Sequence, residues 1–379
     1  MKILITNFHR GDGGGHTTYI TALVMAFKEK HDITVIAPKT SRLYQTLSVF
    51  AGVRVIAHDF KGALLKTLGD VVSFRALLRR ENFDVVHVNG SVDHRLCFLA
   101  AVTLGSRRPA IVFTKHNDKE MNSLGVWIRA RFGTTKVICV CDNSKRKLGK
   151  SPFSQCDITR IYNGVDVDRF SPPSADEVER NRAHWIGSTH SGKLVIGSNA
   201  GTAEYKRWMD MVEAVAMLPH NLRRQVVVMV AGLLPPKSDL AKVHQLGMGQ
   251  NVVFTGLLQD VYPFITTLDI GFVLSSGVET ISFACREMMS TGVPVIVSNS
   301  GGLAENVEHG VDGWIVPVKS PEAVSSILKR VLMNRYSLIP MRLAARHRAV
   351  SSFSLRDFVS NTESVYLDAR NAALNAAGN

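Results

Sequence analysis

The chain has 379 residues, 45% of them hydrophobic and 20% charged, with a mean hydropathy of +0.06. At about 100–200 residues per domain, that length predicts two or three domains with a large buried core. The composition excludes wholesale disorder, and 29 Gly and 13 Pro without a triplet period exclude a fibrous repeat.

No apolar run approaches the roughly 18 residues needed to cross a bilayer. Met1–Phe8 has one lysine and then a loop, not the apolar region and cleavage site of a secretory signal. A cytoplasmic location is therefore expected, with peripheral attachment to the inner membrane face left open. The five cysteines, Cys97, Cys139, Cys141, Cys156 and Cys285, are odd in number and form no C-x-x-C pair. They read as small buried hydrophobes in a reducing compartment.

The formal net charge is +13. Residues 1–170 hold 26 Lys and Arg against 14 Asp and Glu, a net of +12; residues 171–379 hold 19 against 18, a net of +1. A basic first half suggests an acidic partner for that half: nucleic acid, an anionic membrane or a phosphorylated acceptor. No aromatic-interleaved basic stripe or nucleic-acid module accompanies the charge, so nucleic acid is not the expected partner. Two local clusters fit a membrane surface instead, Lys145-Arg146-Lys147 with Lys150, and Trp127-Ile128-Arg129-Ala130-Arg131-Phe132.

The first predicted strand, Lys2–Thr6, runs into Asn7-Phe8-His9-Arg10-Gly11-Asp12-Gly13-Gly14-Gly15, with a helix from about His16. Strand, glycine loop and helix make a phosphate-approach geometry. Glycines let backbone N–H groups come close, and a helix N-terminus carries about half a positive charge. The glycines are too closely spaced for G-x-G-x-x-G, and no G-K-[ST] follows, so neither the NAD fingerprint nor the P-loop applies.

Further strands are predicted at Asp32–Ala37, Val53–Ala57, Asp84–Val88, Ile111–Thr114, Lys136–Val140 and Thr159–Tyr162, with helical patterns between most of them. His87 and His116 fall at strand carboxyl ends, where ligands gather in such sheets. His87 reads equally as structural or functional. His116 lies in a polar cluster with Lys115, Asn117 and Asp118. The stretch Ser171–Lys193, with Pro172 and Pro173, an acidic run and then Gly, Ser and Thr, reads as an inter-domain connection.

The second half repeats the theme with strands at Lys193–Gly197, Gln225–Val230, Val252–Thr255, Ile270–Leu274, Pro294–Val297 and Gly313–Val316, then helices to about Asp368. Continuously apolar strands separated by helices imply parallel sheets covered on both faces. The expected fold class is α/β, two Rossmann-like doubly wound domains facing a deep cleft. The expected divisions are 1–170, a linker 171–192, 193–350, and a C-terminal helix and tail 351–379 that packs back toward the first domain.

In the second half, Lys206 and Arg207 follow a Gly- and Asn-containing loop where a helix begins, and two cations there oppose the helix dipole unless an anion intervenes. Glu279-Thr280-Ile281-Ser282-Phe283-Ala284-Cys285-Arg286-Glu287 follows an apolar strand and the turn Ser275-Ser276-Gly277. This places Glu279 in a loop and Glu287 about two helical turns on, roughly 12 Å away at 1.5 Å per residue. A glycosidase carboxylate pair sits closer, at about 5–9.5 Å, so two separate roles at the ends of an elongated ligand fit better. The N–H groups of Ile281 to Phe283 would meet a phosphate lying between them.

Glu279-x7-Glu287 resembles the E-x7-E signature of the retaining glycosyltransferases of the GT-B fold, family 4. Gly14-Gly15 is similar to that family's N-terminal double glycine, and Ile161-Tyr162-Asn163-Gly164-Val165-Asp166 through Phe170 to its inter-domain motif. Phe254-Thr255-Gly256, then Leu268-Asp269-Ile270, resembles its base-proximal loop and following strand, and Pro294-Val295-Ile296, Gly301-Gly302, Glu305 and Gly310-x-x-Gly313 its C-terminal motif. The resemblance runs from residue 1 to about 370.

It implies that Glu287 binds the donor ribose, that Glu279 and His116 approach the transferred sugar, and that Lys206 neutralises the donor diphosphate. Gly14, Gly15, Arg207, Leu257, Thr280, Ile281, Ser282 and Phe283 complete the implied donor contacts, and neither a metal nor another cofactor is implied. Two departures stand out. Thr280-Ile281-Ser282 replaces the usual Gly-Phe-Gly, and no Arg opens the loop before Lys206, where Arg207 resembles subgroups with adjacent Arg and Lys.

The function expected is transfer of a sugar, with retention, from a UDP- or GDP-sugar to a glycan or lipid-linked acceptor in bacterial surface glycan synthesis, such as lipopolysaccharide. The alternatives are a GT-B relative of other chemistry, a phosphorylase or nucleotide-sugar epimerase, and a basic nucleic-acid-binding protein.

Overall fold

The computed structural model describes residues 1–60, 64–187, 192–277 and 279–378. The chain forms two compact units. One comprises Met1–Asn163 with Arg356–Asn379, the other Gly164–Leu355.

The first unit holds seven strands: β1 Lys2–Thr6, β2 Asp32–Ala37, β3 Val53–Ala57, β4 Val85–Val88, β5 Ala110–Lys115, β6 Lys136–Cys139 and β7 Asp157–Arg160. All pair in parallel, in the order β3-β2-β1-β4-β5-β6-β7. Helices cover both faces, so central strands bury every side chain, and β4 (Val-Val-His-Val) is wholly buried despite its histidine. Order reverses between β1 and β4, so the loops after these two strands flank the place where doubly wound sheets take ligands.

The last helix, Leu355–Gly378, supplies part of this unit's core. Tyr366 is fully buried; its hydroxyl lies 2.5 Å from His87 Nδ1, and its ring is 5.7 Å from that of Phe27. Phe358 meets Tyr19 at 5.0 Å, Glu363 pairs with His31 at 2.9 Å and Arg370 with Asp84 at 3.0 Å. His87 thus belongs to the core: its Nε2 is 2.6 Å from the Thr114 hydroxyl, and burial lowers its pKa to about 3.

The second unit holds β8 Leu194–Ser198, β9 Val226–Ala231, β10 Val252–Gly256, β11 Ile270–Val273, β12 Val295–Ser298 and β13 Gly313–Val316. Their order is β10-β9-β8-β11-β12-β13, again parallel throughout, and the reversal lies between β8 and β11. The helix Phe283–Ser290 is anchored by Arg286, which is fully buried. Its guanidinium lies 4.2 Å from the Phe353 ring centroid, and its Nε donates to Asn306 Oδ1 at 2.7 Å.

The boundaries differ from those expected. The chain passes between units after Asn163 and after Leu355, not at 170 and 350. The two passages are tied together where Val165 N donates to Phe353 O (2.9 Å) and Leu355 N to Val165 O (2.8 Å). The expected linker is instead largely the helix Ala175–Ile186 of the second unit, capped by Ser174 and held by Asn181 to Thr266 (2.8 Å) and by Arg182 to Asp269 (2.8 Å). Residues 188–191 of that stretch, and Asn379 of the tail, lie outside the described residues.

All five cysteines are free, four of them buried. Among the described residues no helix is long and apolar enough to cross a membrane.

Gly313 is required by close packing. A Cβ there would meet the Val295 carbonyl oxygen at 2.3 Å and its nitrogen at 3.0 Å, backbone atoms that cannot rotate aside. Gly313→Ala should therefore lower the stability of the second unit by about 1–3 kcal/mol, the usual cost of overpacking. Urea unfolding would read this as a reduced midpoint, and an unchanged midpoint would contradict the packing described.

Candidate active site

In the second unit the loops after β8 and β11 meet at the reversal point. The loop after β8 is pressed against the one after β9, since a Cβ on Gly232 would lie 2.8 Å from the Gly201 Cα. Trp208 Nε1 and the Thr202 hydroxyl fix the same loop, donating to Thr202 O (3.1 Å) and Leu233 O (2.5 Å). A backbone bond from Ser276 N to Tyr205 O (2.9 Å) joins it to the loop after β11.

That junction places Lys206 against Glu279. Their ammonium and carboxylate form an ion pair whose side chains are 15% and 12% exposed, and Ser275 Oγ donates to the same Glu279 oxygen at 3.3 Å. Arg207 follows in a left-handed conformation (φ 56°), which costs a non-glycine residue on the order of 1 kcal/mol. Its guanidinium folds back onto Asp210 in the first turn of the helix Trp208–Ala216, with Nε 3.1 Å and Nη2 2.5 Å from the carboxylate oxygens. The two cations expected to stand unopposed at this helix start therefore each hold a carboxylate. Burial raises the Asp210 pKa, and the Arg207 contact pulls it down.

Ser282 caps the helix Phe283–Ser290, its hydroxyl accepting from Cys285 N at 3.3 Å. Thr280, Ile281 and Ser282, the residues that depart from the family pattern, are buried. Glu287 stands in the second turn of this helix and accepts from Asn199 Nδ2 at 2.7 Å. Burial pushes the Glu287 carboxyl up to about 7, against the pull of Asn199 and of the Arg169 charge. Leu257 follows the edge strand β10 and is 72% exposed.

In the first unit, the helix Gly14–Phe27 begins two residues before the expected His16. Gly13 and Gly14 adopt positive φ (67° and 50°), and the Gly14 amide donates to Asp12 Oδ2 at 3.0 Å. Asp12 in turn pairs with Arg42 at 2.9 Å. His116 Nε2 lies 2.8 Å from Asn89 Oδ1, and Asn89 Nδ2 donates to Thr6 O at 3.1 Å. With the amide nitrogen committed to a carbonyl, Asn89 presents its oxygen to His116, so Nε2 carries the imidazole proton.

Asp93 holds Asn89 from behind, accepting its backbone N–H (2.9 Å) and the Thr6 hydroxyl (2.8 Å). The His116 ring packs on His16 (4.2 Å) and Tyr19 (4.6 Å), and His16 packs on His9 (4.2 Å). Burial and the neighbouring imidazoles hold the His116 pKa well below the usual range. His116 is accordingly a neutral imidazole at pH 7: it can orient a substrate by hydrogen bonding, but it holds no proton for general acid catalysis.

Within the second unit, the fold brings together Lys206 with Glu279, and Glu287 with Asn199. Within the first, it brings together His116, His16 and Asn89. The partners Asn199, Ser275, Asn89, Asp93 and His16 escape sequence reasoning. Asn89 and Asn199 carry a faint signal, as polar residues just beyond apolar strands that flank a reversal point. Among the described residues no group of three His, Cys, Asp or Glu side chains is placed to hold a metal ion.

Residues 13–169 match the model of Glycosyltransferase Family 4, and residues 180–349 that of Glycosyl transferases group 1. The chain is 26% identical over 321 residues to the UDP-Gal:alpha-D-GlcNAc-diphosphoundecaprenol alpha-1,3-galactosyltransferase of Escherichia coli, covering 81% of each chain. It is 25% identical over 362 residues to a GDP-mannose-dependent alpha-(1-6)-phosphatidylinositol monomannoside mannosyltransferase of Mycobacterium tuberculosis, covering 91% of this chain and 92% of that one.

Among solved structures, a glycosyltransferase from Rickettsia africae superposes with a TM-score of 0.84 at 18% identity, over 97% of this chain and 98% of that one. HepE of Anabaena, solved in complex with UDP, gives 0.81 at 18% identity, over 97% and 100%. The fold is thus that of two-domain glycosyltransferases. With both units matched over most of their length, the chain belongs to the family 4, group 1 glycosyltransferases.

Proposed function

We propose that the protein transfers a sugar from a UDP- or GDP-sugar to an acceptor hydroxyl with retention of anomeric configuration and without a metal ion. We place the reaction in assembly of a lipid-linked surface glycan such as lipopolysaccharide. The observation that carries the reading is the arrangement at the β8–β11 reversal. A partly buried lysine held on a carboxylate, a capped helix start and a second carboxylate in that helix's second turn offer in sequence a diphosphate site and a ribose site. The E. coli relative is named for UDP-Gal and a diphosphoundecaprenol acceptor, the mycobacterial one for GDP-mannose, which supports the nucleotide and lipid-linked classes.

In this reading the donor diphosphate takes Lys206 from Glu279, an exchange of one anion for another at a partly buried cation. The released carboxylate then turns to hydroxyls of the sugar. Charge that develops on the leaving diphosphate is met by Lys206, with Arg207 nearby, and by the N–H groups from Ile281 to Phe283. Gly14 and Gly15, the first two residues of the helix Gly14–Phe27, are donor contacts in this reading, and Leu257 lies toward the base. The acceptor proton passes to the leaving phosphate, and neutral His116, fixed by Asn89, positions the sugar.

Association with the inner face of a membrane fits the helix Leu124–Gly133, where Leu124, Trp127 and Phe132 are exposed (73%, 46% and 50%) beside exposed Arg131. Arg129, expected in that basic and aromatic face, is buried instead and lies among the core residues.

The donor reading is tested by thermal shift with UDP-, GDP- and ADP-sugars. A true donor at 100 times its Kd adds about 2.7 kcal/mol of stability, whereas a flat response to all three removes the reading.

His116→Ala and Glu279→Ala should depress kcat and kcat/KM together, by at least tenfold, because both act on the sugar and leave the nucleotide contacts intact. Steady-state kinetics with only a raised donor KM would reduce them to binding groups.

The raised Glu287 carboxyl gives a pH signature. Ribose hydroxyls donate to the ionised form, so nucleotide affinity should be full above about 7 and fall as pH drops through that value, by up to tenfold per unit. Glu287→Gln should weaken binding by about tenfold at pH 8 and flatten the slope. Calorimetry with UDP and GDP from pH 8 to pH 6 reads both, and identical slopes in the two proteins would remove Glu287 from the ribose.

A further inference from the structure

Beside β5 and β6 of the first unit lies a cavity of about 210 Å³, room for roughly seven waters, that the reaction above does not use. Four lysines, Lys115, Lys119, Lys147 and Lys150, line it with two carboxylates, Asp118 and Glu120. It opens among the segments that follow these two strands, at the carboxyl edge of the sheet, where parallel α/β sheets take ligands.

Its charges are unevenly matched. Asp118 accepts from Asn143 Nδ2 (2.5 Å), Ser144 Oγ (2.8 Å) and Lys147 Nζ (3.0 Å). Lys115 is only 6% exposed, yet its ammonium donates solely to neutral oxygens, Asn117 Oδ1 (2.9 Å) and Lys119 O (2.6 Å). An ammonium has three protons to give, so one is left over. Among the described residues no carboxylate lies within 4 Å of Lys115, Lys119 or Lys150. Asp118 pairs directly with Lys147, which leaves Lys115 a buried cation with no carboxylate in direct contact, and a phosphate is an anion that lysines hold as point charges. Burial lowers the Lys115 pKa to about 8, against the pull of the nearby Asp118 charge.

We propose that this cavity binds a phosphate or diphosphate group of the acceptor, so that the acceptor of the transfer reaction is a phosphorylated molecule. The proposal rests on the glycosyltransferase reading for the word acceptor, but not for the anion site itself.

The test is lysine acylation of the full-length protein with an acetyl succinimide ester, followed by peptide mass spectrometry, with inorganic pyrophosphate against sodium chloride at equal ionic strength. Pyrophosphate should slow acylation of Lys115, Lys119 and Lys150 at least fivefold. Lys115→Met should abolish the slowing at Lys119 and Lys150. Should that variant fail to fold, Lys119→Ser with Lys150→Ser, both exposed, should weaken the protection of Lys115 about tenfold.

Lys206 in the same digests reports the donor site. Slowing at Lys206 alone overturns the proposal and leaves the donor reading standing, while slowing at the three lysines without Lys206 does the reverse. Two further arms separate the sources of phosphate, vesicles of phosphatidic acid and vesicles of phosphatidylcholine. Protection by phosphatidic acid vesicles but not phosphatidylcholine assigns a lipid headgroup. Protection by pyrophosphate alone assigns a soluble phosphorylated acceptor. No difference from chloride at any of the three lysines overturns the site.

Discussion

Parallel pairing is the constraint from which the rest follows. A sheet whose strands all run one way ends them all on one edge, and helices on both faces leave that edge as the place where the loops collect. Each unit reverses its strand order once, between β1 and β4 and between β8 and β11. The residues with the strongest claim to chemistry, Asn89 and the Gly11–Gly15 loop in one unit, and Asn199, Lys206 and Glu279 in the other, all leave these four strands. His116 and Lys115 lie one strand further out, at the end of β5.

Within that frame, unsatisfied charge decides what the loops do. Lys206 and Arg207 are held by Glu279 and Asp210, so the unliganded second unit keeps its cations in place at little electrostatic cost. In the proposed reaction a diphosphate, with more negative charge than one carboxylate, would take Lys206 by exchange. Glu287 shows the opposite imbalance. Burial outweighs the Asn199 hydrogen bond and pushes its carboxyl up to about 7. In the first unit His9, His16 and His116 settle as neutral rings in tilted and edge-on contact, which suits orientation rather than proton transfer.

The sequence makes the strands legible because short runs rich in Val and Ile, too short for helices, alternate with helical patterns; boundaries moved by at most two residues, as at β7, predicted from Thr159 and found from Asp157. Glu279-x7-Glu287 was legible because the spacing itself spans a loop and two turns. The passages between units were not. They depend on Val165 bonding to Phe353 and Leu355, almost 190 positions away, and prolines 172 and 173 mark only the start of a helix in the second unit. Nor could periodicity show that Tyr366 would cap His87, that Lys206 would find Glu279, or that Arg129 would be buried while its neighbour Arg131 stayed exposed. These pairings are set by tertiary distance, on which local pattern is silent.

The central claim, transfer with retention by a site that relies on lysine and helix dipoles instead of a metal, is tested most directly by the product. The protein would be given an α-linked nucleotide sugar and an acceptor in excess EDTA, and the anomeric proton coupling of the isolated glycoside measured by NMR. The account predicts an α-linked product formed at the same rate with and without the chelator. A β-linked product, or turnover that stops in EDTA and returns with magnesium, would contradict it.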